Sequence, residues 1–291
     1  LSEVLYYFLG FSAIYILMGW ALYLPYRVGQ LNYLIVACMA ITAYFGGFAA
    51  REWNWPFPVI LIIGIMISTI IGLIFSQAIG KAPCFTVVIV GLTSVFIVKT
   101  VIENWKLLGG TVGFFHIPNV NGMLIIIYGL LILVGFLIYR IDHSRWGRAA
   151  SVVFVDKDVA VSLGVDIKKI GMFFQIVSCA IAGMAGTLDA FLVRSLSPEF
   201  FTFGMIGYLM CILFVGGYTT MWGVIFSAFF LQGIPLMFPS SIASWRQVIY
   251  GALLVLIILL RPEGIITRKM LWRMKPKAYF PVNTQIKNSK S

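Results

Sequence analysis

The chain has 291 residues, of which 61% are apolar and only 11% charged, with a net charge of +11. Ordinary soluble domains carry about 25% charged residues, so charge this sparse, set between long apolar runs, excludes a soluble domain and indicates an integral membrane protein. The positive charge does not indicate a nucleic-acid partner, because the basic residues lie in short loops and a tail, as in the cytoplasmic segments of membrane proteins.

A membrane-crossing helix needs about 20 mainly apolar residues, roughly 17–25. In chain order, such stretches are predicted at 5–23, 31–50, 57–79, 84–101, 123–139, 170–192, 205–221, 222–236 and 247–260. The fold class is therefore all-α, a polytopic bundle of about nine spans. Gly216, Gly217 and Gly223 interrupt the 205–236 region, which fits either two short spans or one span with a re-entrant piece. Residues 1–260 form the transmembrane domain, with a cytoplasmic segment at 140–169, and 261–291 form a basic cytoplasmic tail. The chain opens on Leu1, with no Met and no basic leader, as expected of a sequence that begins at an internal residue.

Direction follows from Lys and Arg, which favour cytoplasmic loops. Counting spans back from the basic tail leaves Arg51, Lys99, Lys106, Arg194 and Arg246 outside and the other 16 of the 21 basic residues inside. Tryptophan favours the membrane interface. Trp20, Trp146, Trp222 and Trp272 fall near predicted inner ends, and Trp53, Trp55, Trp105 and Trp245 near outer ends.

The segment RWGRAASVVFVDKDVAVSLGVDIKK, residues 145–169, departs from the apolar background. Gly147 and Gly164 bracket a helix-like run from Arg148 to Leu163. Val152, Val155, Val159 and Leu163 form one stripe, Phe154 and Val161 lie on roughly the opposite side, and Asp156, Lys157 and Asp158 lie between. A solvated surface helix has one apolar face. Two such faces suggest cover by the bundle on one side and a partner on the other. A helix lying on lipid headgroups fits the periodicity equally well.

No Walker loop, HExxH or GxSxG motif is present, so no catalytic residue, metal or resident cofactor is expected. Cys38, Cys84, Cys179 and Cys211 sit in or beside apolar runs without metal spacing and read as core residues.

Five blocks resemble the permease subunits of branched-chain amino acid ABC importers, the LivH/LivM family. Gly147–Arg148–Ala149 followed by Leu163–Gly164–Val165 is similar to a cytoplasmic GRA…LGI segment. AGMAGTLDAFLVRSLSPEFF (182–201), GGYTTMWG (216–223) and YGALLVLIILLRPEGI (250–265) are similar to later family blocks. ENWKLLGGTVGFFHIP (103–118) resembles the outer loop of the LivM type. The chain departs from the family pattern at Asn32–Tyr33, where Gly–His is usual, and in SVVFVDKD (151–158), where relatives are rich in Arg and Glu.

The resemblance implies a transport subunit of an ABC importer, not an enzyme, in a bacterial inner membrane with its C-terminus cytoplasmic. It implies a second permease subunit, two cytoplasmic ATPases that bind the ATP, and an extracellular or periplasmic substrate-binding protein, with membrane lipid around the bundle. The implied cargo is a branched-chain amino acid, with urea, short amides or other amino acids as alternatives. A non-transporting scaffold or receptor subunit is the alternative of another class. The 145–169 segment then resembles a coupling helix held by the ATPase, through Arg148, Phe154, Asp156, Asp158, Val159, Leu163 and Gly164. Asp189, near the outer end of its span, reads either as a helix anchor, snorkelled or paired with Arg194, or as a contact for a cargo ammonium on the translocation path. Gly109 and Gly110 read either as an ordinary turn or, through free backbone N–H groups, as a receiving surface for the binding protein or a cargo carboxylate. Gly183 and Gly186 read as helix packing.

Overall fold

A computed structural model describes residues 3–79 and 82–237, with isolated helical positions at 251, 252, 255 and 259. The predicted span 247–260 lies largely outside the described residues, and the tail 261–291, Trp245 and Trp272 lie wholly outside them.

Among the described residues, six helices are long and apolar enough to cross a membrane: α1 (Glu3–Tyr26), α2 (Leu34–Glu52), α3 (Phe57–Ile79), α4 (Cys84–Asn104), α5 (Met123–His143) and α8 (Ile167–Val193). The chain is thus a multi-pass, all-α membrane protein. Apolar content explains the helices, since inside lipid every backbone N–H and C=O must be satisfied within the segment. Proline sets two of the starts: α3 follows Pro56, and Pro83 caps α4 with φ of −62°, a ring geometry already suited to helix entry.

Helix α8 is the axis of the bundle. Its Gly183 lies against Ser68 and the Gly64 carbonyl of α3, and its Gly186 against Thr42 and the Met39 carbonyl of α2. On the α1 side, Leu192 packs on Gly10, and the Ser178 hydroxyl donates to the Ala21 carbonyl at 2.5 Å. These contacts run α8 antiparallel to α1 and α3 and parallel to α2. Helices α4 and α5 lie at the periphery with most of their surface open.

The region 205–236 forms two short helices, α9 (Phe203–Gly216) and α10 (Met221–Met237). Gly216 and Gly223 meet backbone to backbone, which closes the hairpin. At 14 residues, α9 is about 21 Å long, short of a hydrocarbon core of about 30 Å.

Trp20 differs from its interfacial expectation. It is 2% exposed, and its indole N–H donates to the Met221 carbonyl at 3.1 Å, so it ties α1 to α10 inside the protein. The interface preference of Trp yields when a buried acceptor satisfies its N–H.

The end of α8 is tied to the loop before α5 by a two-residue ribbon. In it, β1 (Phe114–Phe115) pairs antiparallel with β2 (Ser195–Leu196). At the opposite end lie α6 (Arg145–Val155) and α7 (Lys157–Ser162). A cysteine at Val112 and one at Val155, both exposed, are therefore expected to react with an impermeant maleimide from opposite sides of the membrane. Labelling of both from one side would overturn this span order.

Candidate functional site

Two regions concentrate the residues singled out from the sequence, one at each end of the bundle. The first is the α6–α7 segment. Ser144, not Gly147, opens α6: its hydroxyl accepts from the Trp146 and Gly147 backbone N–H groups at 3.2 and 3.5 Å. Gly147 lies inside the helix, where a Cβ would strike the Asp142 and Ile141 carbonyls. At the other end, Gly164 does bracket the segment, with φ of +74° beyond α7, the left-handed stop that glycine adopts without penalty.

The expected single helix is two. Asp156 is extended, with φ of −154°, and caps α7 by accepting from the Asp158 and Val159 N–H groups at 2.8 and 3.3 Å. An aspartate side chain competes for backbone donors in this way, which is why a mid-helix aspartate becomes a break. Asp156 is thus an N-cap as well as a charge. Asp166 caps α8 in the same manner, and the Lys169 backbone N–H it accepts holds its carboxyl below the ordinary aspartate value. The Arg148 guanidinium donates to the His143 carbonyl at 3.0 Å, satisfying the C-terminus of α5.

Gly147, Ala150, Val153 and Ala160 form the buried face of the segment. Phe154 turns toward its own chain, with its ring 5.8 Å from Tyr26 and 6.0 Å from Tyr218. Its exposed portion continues onto an open apolar surface made by Val155, Val159, Val161 and Leu163, with Val155 84% and Leu163 67% exposed. The exposed charges of Asp156, Lys157 and Asp158 border that surface. A network around Arg27, which the sequence pattern did not single out, ties α6 to α1 and α5.

The second region is at the ribbon end. Asp189 lies three residues from Gly186, which faces α2, and three from Leu192, which faces α1. At helical spacing this puts the carboxylate on the α8 face between those two helices. Asp189 is partly buried. Among the described residues no ion pair or hydrogen bond holds it, and the expected pair with Arg194 is not formed. Arg194 is exposed and ends α8 with φ of +60°.

The loop glycines do more than turn. Gly109 has φ of +86°, and a Cβ there would strike the Gly113 carbonyl. Its N–H is taken by Lys106, so it is not a free donor. Gly110 has φ of +56° and lies beside the Glu103 carbonyl. The ribbon brings this loop to the same end of α8 as Asp189. A cavity of about 460 Å³ lies nearby between α2 and α4, lined by Ile41, Tyr44, Phe48, Trp53, Val98 and Trp105 among others. Its walls are aliphatic and aromatic. The three buried cysteines and the half-buried Cys84 are all free thiols. Among the described residues, no group of His, Cys, Asp and Glu is arranged to hold a metal ion.

A family described as "Branched-chain amino acid transport system / permease component" matches residues 4–258. The high-affinity branched-chain amino acid transport system permease protein LivM of Escherichia coli (strain K12) is 28% identical over 165 residues, 56% of this chain and 39% of that relative. The protein of the same description from Salmonella typhimurium is 31% identical over 137 residues, 47% of this chain and 32% of that relative. The matched stretch thus spans well under two thirds of either relative. No solved structure matches the chain.

Proposed function

The chain belongs to the branched-chain amino acid transport permease family, and from that premise we propose that it is one transmembrane subunit of an ATP-driven importer for branched-chain amino acids. The observation that carries this reading is the family match across residues 4–258, which takes in nearly all of the described bundle. The fold agrees with it. Six apolar helices can form a pathway wall, and the exposed α6–α7 surface offers a docking face outside the lipid-spanning segments.

In this reading the chain lies in a bacterial inner membrane with α6, α7 and the basic tail 261–291 in the cytoplasm. Residues 1–260 make the permease domain, in which α9, α10 and the 247–260 segment bring the six long helices to about nine spans. A second permease subunit completes the pathway. Two ATPases bind ATP beneath the permease pair, and the α6–α7 face docks on an ATPase, with Val159, Leu163 and the exposed edge of Phe154 as apolar contacts. Arg148, Asp156, Asp158 and Gly164 hold the shape and register of that face. A binding protein delivers cargo to the opposite side, near the loop shaped by Gly109 and Gly110.

Asp189 is the cargo contact in this proposal. An unpaired carboxylate within a spanning helix is costly, about 2.5–3.5 kcal/mol at the centre and less toward an end, and such residues ordinarily mark a pathway. With no partner of its own among the described residues, Asp189 suits the ammonium of an amino acid. The test is uptake into proteoliposomes by the complex co-purified with its ATPases and binding protein. ATP-dependent uptake is expected for leucine, isoleucine and valine above alanine and urea. Asp189→Asn should cut uptake per assembled complex by roughly tenfold or more, the loss of one charge-assisted contact. Unchanged uptake would make Asp189 a helix anchor only, and preferential uptake of urea would replace the cargo.

A further inference from the structure

The strongest unassigned feature is a polar network where α1, α5 and α6 meet. Arg27 stands just past the end of α1, with a side chain only 11% exposed. Its Nη2 donates to the Ser151 hydroxyl at 2.9 Å and the Gly147 carbonyl at 3.3 Å, both on α6. Its Nη1 donates to the Tyr23 hydroxyl of α1 at 3.2 Å. Tyr23, fully buried, donates in turn to Oδ2 of Asp142 on α5 at 2.9 Å. Ser151 donates to the Gly147 carbonyl at 3.0 Å, so its hydroxyl is oriented to accept from Arg27.

One atom in this network is left out. Oδ1 of Asp142 is buried with no hydrogen-bond partner, and the same Nη2 that serves α6 stands 3.9 Å away. That is an ion-pair distance but too long for a hydrogen bond, which needs roughly 1 Å less. A buried charged acceptor without a donor is unfavourable. The arrangement therefore has two satisfactory settings for one donor: on α6 as observed, or on Asp142 if α6 moves away. The remainder of α1 is coupled onward, through Trp20 to the Met221 carbonyl of α10 and through the Ala21 carbonyl to Ser178 of α8.

We propose that Arg27 is the positioning residue that passes displacement of the α6–α7 segment to the spanning core, exchanging Ser151 and Gly147 for the free oxygen of Asp142 as the segment shifts. A shared donor with two discrete partners supplies the two-state element that physical coupling requires. The proposal rests on the reading that an ATPase docks on α6–α7. Nothing on the docking face itself involves Arg27, so coupling and docking are separable.

The test uses the full complex with its ATPases in proteoliposomes, leucine as the probe, and Cys84→Ser to remove the one partly exposed thiol. Three variants are compared: Arg27→Met, which keeps the apolar stem; Arg27→Lys, which keeps the charge but not the fork; and Ser151→Ala, which removes one hydroxyl and leaves every charge in place. All three should retain the ATPases. Leucine taken up per ATP hydrolysed should fall about tenfold in Arg27→Met and Arg27→Lys, and severalfold in Ser151→Ala. A cargo-independent measurement accompanies these. Spin labels on cysteines at Leu5 and Val112, exposed at the far end of the bundle, should change separation on trapping with ATP and vanadate in the parent and not in Arg27→Met. An unchanged uptake-to-hydrolysis ratio in all three variants, or the same spin-label change in Arg27→Met as in the parent, would overturn the proposal. Failure of the parent complex to hold ATPases would instead overturn the importer reading.

Discussion

Replacing Val155 and Leu163 together by aspartate is expected to strip the ATPases from the purified transporter while the permease stays folded and inserted. Both side chains are largely exposed on the α6–α7 surface, so the free permease loses little packing. Each gives up a burial of about 1.5–3 kcal/mol if a partner covers it. The pair removes about 3 kcal/mol or more, at least a hundredfold in affinity, before the added charges are counted. Asp158→Lys reverses a charge at the border of the same surface, and rim charges contribute about 1 kcal/mol or less. It should leave most of the ATPase bound and lower transport per ATP. At Asp156 the two roles separate. Asp156→Asn keeps a side-chain cap for α7, whereas Asp156→Ala removes it at a cost of about 0.5–2 kcal/mol, so only the alanine variant should weaken docking appreciably. Co-purification and hydrolysis assays read all four changes. Were α6–α7 a helix pair resting on lipid, the double aspartate variant would retain its ATPases in full, and the docking face would have to be sought elsewhere.

Gly186→Leu is expected to abolish the folded permease. A side chain at this position meets the Met39 carbonyl and the Thr42 hydroxyl of α2, and α2 and α8 are both buried along most of their length. Backbone cannot rotate away as a side chain can, so the helices must separate. Overpacking of this kind costs typically 1–3 kcal/mol where side chains can adjust, and more where they cannot. Close helix approach is a chief source of stability inside a membrane, because lipid removes the hydrophobic drive between helices. Gly129→Leu on α5 is the matched control, since a Cβ there meets nothing within 4 Å. Size-exclusion profiles in detergent should show a monodisperse peak for Gly129→Leu and aggregate for Gly186→Leu. A normal peak for Gly186→Leu would mean that α2 and α8 do not pack as described.

Much of this was legible from residue order. Apolar runs of about 20 residues placed the six long helices, and the small residues of AGMAGT marked the packing face of α8. The charged interruption at 145–169 pointed to a segment outside the spanning helices, and it holds the short helices α6 and α7 between α5 and α8. Its internal break at Asp156 was not legible, because aspartate inside an amphipathic run serves equally as a surface charge or as a cap, and only the local backbone selects between them. Phe154 was assigned to a face by helical spacing, and the break changes that spacing. The relation of Asp189 to Arg194 was equally open, since five residues of separation allow a pair and the left-handed turn at Arg194 directs the chain into β2 instead.

Composition and periodicity by themselves determined that the chain lives in a membrane, where its long helices run and which residues let them approach, because these depend on transfer of each segment from water and on side-chain size. Only the tertiary structure decided which polar groups meet. Tyr23 and Arg27 stand one helical turn apart at the end of α1, but Asp142 and Ser151 come from α5 and α6, up to 128 positions away, and no local pattern links the first two to the others. Their encounter follows from the parallel packing of α1 and α5, which sets the ends of both helices beside the start of α6. Burial there makes each unpaired polar atom costly, and so makes the few available donors decisive.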